Sequence, residues 1–268
     1  MSSPHEETYA SIGFAMSDHV ARITLNRPDA GNALNAALLH DLPAVTERCM
    51  EDPAVRVVVI DGAGKSFCVG GDLRSFTSEG DALSEHLEEI LTDFHTAVAR
   101  LARMNAPVIA SVHGVAAGGG LSLACACDLV IAAESTRFTM AYTRVGLSPD
   151  GSGSYFLPRL VGLRRALDLT LTNRMLSARE ALDWGLVSRV VPDDALAAET
   201  ATLAAQLAAG APGALAAAKK LLRESGNASL EEQLVREIRA IALRAADPES
   251  REGMTAFLEK RAPRFEGL

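Results

Sequence analysis

Apolar and polar residues alternate along Val20-Ala21-Arg22-Ile23-Thr24-Leu25, which is the two-residue period of a half-buried strand. Asn26-Arg27-Pro28-Asp29 then ends it with turn residues. A second kind of run, continuous and β-branched, covers 55–60 and 107–112 and predicts strands buried on both faces. Between those two runs, Leu83, Leu87, Ile90, Leu91, Phe94, Val98 and Leu101 recur at three- and four-residue steps, so 81–103 is predicted as an amphipathic helix. Another helix is predicted over 35–51, with Pro43 expected to kink it or split it in two. A short helix over 121–127 and strands over 128–132 and 137–140 complete an alternating order. That order predicts an α/β fold with mostly parallel strands.

The pattern changes after Val191. Residues 193–209, 212–224, 229–245 and 248–260 all carry helical periodicity. Ser177-x-x-Glu180 and Ser229-x-x-Glu232 have the form of capping boxes, and Asp247-Pro248 that of a cap followed by a first-turn proline. The chain is therefore expected to divide into a core, 1–195, and a helical segment, 196–268. Leu203, Leu207, Leu215, Leu221 and Leu222 need a surface to cover them, either the core or another subunit.

Composition narrows the function classes. With 268 residues, 48% hydrophobic and 22% charged, the chain can bury a large core and does not resemble a disordered one. No apolar run reaches the ~18–20 residues of a membrane span, and the polar, acidic start (1–9) has no leader-like apolar region. Cys49, Cys68, Cys125 and Cys127 lack Cys-x-x-Cys spacing and fit small core fillers in a reducing cytoplasm. A net charge of −8 disfavours nucleic acid and anionic membranes as partners, while leaving an anionic small molecule open. The histidines show no metal-ligand spacing, and neither a phosphate loop nor a nucleophile elbow occurs, so no metal is expected.

Two glycine-centred loops carry the candidate chemistry: Ser66-Phe67-Cys68-Val69-Gly70-Gly71-Asp72-Leu73 and His113-Gly114-Val115-Ala116-Ala117-Gly118-Gly119-Gly120. Each follows an apolar run, and the second leads into a helix. Glycine allows close backbone approach, so two such loops can aim two N–H groups at one oxyanion. On the residues alone, a pair of plain turns remains an equal alternative.

These loops, with Ile23-Thr24-Leu25-Asn26-Arg27-Pro28, Asn32-Ala33-Leu34-Asn35, 182–191 and the stretch from Glu252-Gly253-Met254 to Lys260-Arg261, resemble the enoyl-CoA hydratase/isomerase (crotonase) family over nearly the whole chain. The resemblance implies a crotonase-like spiral of β-β-α units with a C-terminal helical segment that promotes trimers or dimers of trimers. It implies an acyl-CoA thioester as substrate, with coenzyme A part of that substrate and no separate cofactor. The oxyanion donors would be the backbone N–H groups of Gly71 and Gly119. Ala33 and Val69 would lie in the substrate site, and Arg27 and Arg74 near the nucleotide. Phe257 and Lys260 would reach in from a neighbouring subunit. Read without the family, each of the charged residues Arg27, Arg74 and Lys260 fits a solvated surface group better than a ligand contact.

The departures from the family pattern bear on the reaction. Hydratases of the family use two glutamates where this chain has Ser122 and Tyr142. Hydration needs a base for water and an acid for the α-carbon, and neither residue supplies a carboxylate. Asp150, in Gly146-Leu147-Ser148-Pro149-Asp150-Gly151-Ser152, matches the catalytic aspartate of several family isomerases. Its local reading is a turn or helix cap. Tyr142 and His95 are expected to line the acyl pocket. His95 also matches a histidine of 4-chlorobenzoyl-CoA dehalogenase, in which the aspartate is a nucleophile. The expected function is thus an acyl-CoA isomerase using one carboxylate. Hydratase activity in the broad family sense, dehalogenase-like chemistry and a non-catalytic acyl-CoA binder stand as alternatives.

Overall fold

The computed structural model describes residues 9–268, and the polar start lies outside them except for Tyr9. In chain order the elements are β1 (Ile12–Ser17), β2 (Val20–Leu25), α1 (Ala36–Glu51), β3 (Val57–Gly62), α2 (Leu73–Thr77), α3 (Leu83–Arg103), β4 (Val108–Val112), β5 (Val115–Ala117), α4 (Gly119–Ala126), β6 (Leu129–Ala133) and β7 (Arg137–Thr139). They continue as α5 (Gly153–Val161), α6 (Leu163–Thr172), β8 (Leu176–Ser177), α7 (Ala178–Asp183), β9 (Arg189–Val191), α8 (Leu196–Ala208), α9 (Pro212–Ser225), α10 (Leu230–Ala245) and α11 (Pro248–Glu259). The main sheet runs β1-β2-β3-β4-β6-β9, antiparallel only at β1/β2. A smaller sheet, β5-β7-β8, stands beside it.

The continuous apolar runs are explained by a sheet covered on both faces. Val58, Ile60, Val108, Ala110, Val112, Val130 and Ala132 face the large core cluster. Their alternates Val57, Val59, Ile109, Ile131 and Ala133 face a second cluster closed by Leu196, Leu203, Ala204 and Ala208 of α8. The division expected at residue 195 is therefore corrected: α8 belongs to the core, because a parallel sheet needs a helix on its second face. The segment that projects begins later. Its α9 is tied down by Lys219 Nζ and Arg223 Nη2, each 2.7 Å from an oxygen of Asp128. Beyond it, α10 buries no residue, and Ile238, Ile241, Phe257 and Leu258 are exposed on α10 and α11. Among the described residues no single helix is long and apolar enough to cross a membrane.

Pro43 neither splits α1 nor ends it. Leu38, Leu39, Leu42 and Val45 are buried in the core, and Arg100 of α3 donates to the Pro43 carbonyl at 2.8 Å. Tertiary packing outweighs the hydrogen bond that proline removes. β1 was not anticipated, since Gly13 and the short run around it give a weak alternation. The two capping boxes form as read.

Candidate active site

Both glycine loops follow the C-terminal ends of the parallel neighbours β3 and β4 and are joined backbone to backbone. Cys68 N–H donates to Val115 O at 3.1 Å, and Ala117 N–H donates back to Cys68 O at 2.9 Å. Leu34 N–H to Gly70 O (2.8 Å) and Asp72 N–H to Leu34 O (2.9 Å) attach the 27–35 segment to the first loop. Gly70 has φ +98° and would set a Cβ 3.0 Å from Ala117 O, so this contact admits only glycine. The Gly71 and Gly119 N–H groups find no acceptor among the described residues. Gly119 is also the first residue of α4, whose positive dipole end adds to the attraction for an anion. Two unpaired N–H donors at one rim have the chemistry to receive an oxyanion.

Arg27 braces this rim. One guanidinium nitrogen lies 2.9 Å from Asp72 Oδ2, and another donates to the carbonyl of Ala33. Asp72 caps α2 by accepting from Ser75 N–H. Burial pushes its carboxyl up, but hydrogen bonds from Arg27 and Ser75, with the Arg27 charge, hold it below the ordinary value. The structure therefore gives Arg27 and Ala33 a bracing contact beside Gly71.

An apolar cleft of about 230 Å³ opens on the rim. Gly71, Gly119, Val69, Tyr142 and Asp150 line it together with Leu34, Phe76, Leu87, Leu91 and Leu147. Leu87 and Leu91 belong to the apolar stripe of α3 and gave no sequence signal separating cleft from core. At one side a hydrogen-bonded chain runs from Ser122 Oγ to the Tyr142 hydroxyl (3.0 Å) and on to Asp150 Oδ1. Asp150 Oδ2 has no partner among the described residues. Burial raises the Asp150 carboxyl above its ordinary value, partly offset by the Tyr142 hydrogen bond. Burial and the Asp150 charge push the Tyr142 phenol further up, so it stays protonated and acts as the donor. The helix-cap reading of Asp150 does not hold: the residue at the cap of α5 is Ser152, and the Asp150 carboxyl is turned to Tyr142.

Several expected site residues stand elsewhere. His95 does not line the acyl cleft; it faces a separate cleft of about 790 Å³ bounded by α3, α5 and α9, with its Nε2 on Gly151 N–H. The helical turn carrying Phe94 into the core necessarily aims the next side chain away. Phe76 and Tyr142 are the aromatic residues among those lining the smaller cleft. Arg74 is exposed on α2, and Phe257 is 83% exposed near the end of α11, just before Lys260; none of the three lines either cleft of its own chain.

The family model described as Enoyl-CoA hydratase/isomerase matches residues 15–268. The chain belongs to the enoyl-CoA hydratase/isomerase family. A Rhodobacter capsulatus relative named "Probable enoyl-CoA hydratase" is 40% identical over 97% of this chain and 99% of its own. An Escherichia coli relative named 1,2-epoxyphenylacetyl-CoA isomerase is 38% identical over 92% of this chain and 95% of its own. A crystal structure of an enoyl-CoA hydratase from Bacillus anthracis superposes with a TM-score of 0.91 at 34% identity, covering 96% of this chain and all of that one. The crotonase fold and the enzyme family are thus established, and an acyl-CoA substrate follows from the family. Within this enoyl-CoA hydratase/isomerase, the Ser122–Tyr142 link leads to Asp150 at the side of the cleft.

Proposed function

We propose that the enzyme is an acyl-CoA isomerase that shifts a carbon–carbon double bond through a thioester enolate, with Asp150 as its proton carrier. The supporting observation is that Asp150 is the one carboxyl among the residues lining the acyl cleft, with Oδ1 held by Tyr142 and Oδ2 unpartnered. With a 3-enoyl thioester, Asp150 takes a proton from the α-carbon. The electron pair moves onto the thioester oxygen, where Gly71 and Gly119 N–H groups stabilise it. The same carboxyl returns the proton to the γ-carbon, and a 2-enoyl thioester results. Atoms and charge balance without a cofactor. Burial makes Asp150 a stronger base than an exposed carboxylate once it is ionised.

Hydration would ask for a second group to activate water. Ser122 has no useful basicity, and the Tyr142 phenol is held protonated. The test compares the wild-type enzyme with Asp150→Asn on trans-3-hexenoyl-CoA, trans-2-hexenoyl-CoA and 4-chlorobenzoyl-CoA. Isomerisation of the first is expected to dominate and to fall about a thousandfold in the variant, with loss of α-proton exchange in deuterium oxide. An Asp150→Asn enzyme of full activity would sink the reading. Tight binding of all three thioesters with no turnover would replace it by an acyl-CoA binder.

A further inference from the structure

Phe94 and His95 are neighbours on α3, and both bear on the turn that carries Asp150. Phe94 is fully buried, and its ring occupies the space that a Cβ on Gly151 would need. His95 approaches from the other cleft: its Nε2 accepts the Gly151 N–H at 3.2 Å. Acceptance at Nε2 requires a neutral imidazole with its proton on Nδ1. The ring is otherwise open to solvent through the larger cleft.

The turn itself has few anchors. Gly151 (φ +55°) and Ser152 (φ +70°) are both left-handed, a conformation that costs energy for serine. The Ser152 hydroxyl is buried with no hydrogen-bond partner among the described residues. The Asp150–Gly151 peptide is held at its two ends, by Gly153 N–H donating to Asp150 O at 2.9 Å and by the bond to His95. The orientation of that peptide sets the direction of the Asp150 side chain.

We propose that His95 is a positioning residue for the proton transfer. As a neutral acceptor it fixes the Asp150–Gly151 peptide and so keeps the carboxyl at Tyr142, facing the acyl cleft. This inference rests on the reading of Asp150 as the proton carrier. A side chain without an acceptor at this place leaves Gly151 N–H unpaired, and the turn loses that anchor. Arg103 of α3 with Lys219, Lys220, Arg223 and Glu224 of α9 line the larger cleft along with His95.

The experiment measures kcat and KM of trans-3-hexenoyl-CoA isomerisation for wild type, His95→Leu, His95→Gln and Asp150→Asn. Leucine fills the space without an acceptor; glutamine offers an oxygen that does not titrate. His95→Leu is expected to lower kcat about tenfold with KM unchanged, the effect of leaving one buried N–H unpaired. His95→Gln is expected to recover kcat to within about threefold. Wild-type kcat in His95→Leu overturns the proposal, as does a His95→Gln kcat as low as that of His95→Leu. Should the leucine variant fail to fold, His95→Met, which also lacks an oxygen or nitrogen acceptor, takes its place. Asp150→Asn separates the two readings: if it is fully active the proton-carrier reading fails, and if it is inactive while both His95 variants are silent, only the positioning role fails.

Discussion

The two walls of the acyl cleft are built from different materials. The oxyanion wall is backbone: Gly71 and Gly119 sit on loops laced together through Cys68, Val115 and Ala117, and any side chain at Gly70 would meet the opposite loop. The proton-transfer wall is side chain: Ser122, Tyr142 and Asp150 project from α4, the segment after β7 and the turn before α5. A backbone wall is fixed once the sheet and its loops form, so it stabilises the same oxyanion whatever side chains stand opposite. A side-chain wall changes with single substitutions at no cost to the fold. On the proposed function, the first wall stabilises the enolate and the second moves the proton.

The comparison breaks most sharply at Gly119. Gly119→Pro deletes one donor, and proline is accepted at the first position of a helix. The added atoms meet Leu34 Cδ1, 2.6 Å from the Cβ position, which is the movable end of a side chain. Turnover is expected to fall about a hundred- to a thousandfold with the circular dichroism spectrum preserved. A folded variant that retains wild-type turnover removes the oxyanion assignment.

Tyr142→Phe tests the other wall more gently. It removes the donor that favours the charged form of Asp150, so the carboxyl rises further above its ordinary value. The expected outcome is a kcat/KM about tenfold lower, with the acid limb displaced to higher pH. Displacement to lower pH contradicts the hydrogen-bonded chain.

The smallest effect concerns stability. A carboxyl whose pKa is raised by burial binds its proton more tightly in the folded state than in the unfolded one. The stability it confers is complete below the ordinary carboxylate range and is lost as pH rises through the raised value. Asp150→Asn keeps an acceptor for Tyr142 and cannot ionise. Its melting temperature is therefore expected to exceed that of wild type by a few degrees near pH 8, with the gap closing towards about pH 4. An equal gap at both pH values, or a less stable variant at the higher one, shows that the buried charge is not the cause.

Much of the fold was legible in residue periodicity. β2, β3, β4 and α3 follow the runs that predict them, and both capping boxes form. Pro43 does not split α1, because its effect depends on what α1 packs against, and local propensity is silent on that. The boundary at 195 misled because a helix alone does not reveal that the sheet behind it has an open face. His95 was assigned to the wrong cleft, since Phe94 and His95 differ by one helical step and only packing shows which of them enters the core.

The sequence by itself determined the two glycine loops and the residue types at 122, 142 and 150, because backbone freedom and functional-group chemistry are properties of residue types. Tertiary structure alone decided that Asp150 faces the acyl cleft and does not cap α5, that Tyr142 is its donor, and that His95 stands behind the turn. Those relations join positions 56 residues apart for His95 and Gly151 and eight apart for Tyr142 and Asp150. They are fixed by how α3, α4 and α5 pack, and no local pattern along the chain encodes which side of a turn a carboxyl will face.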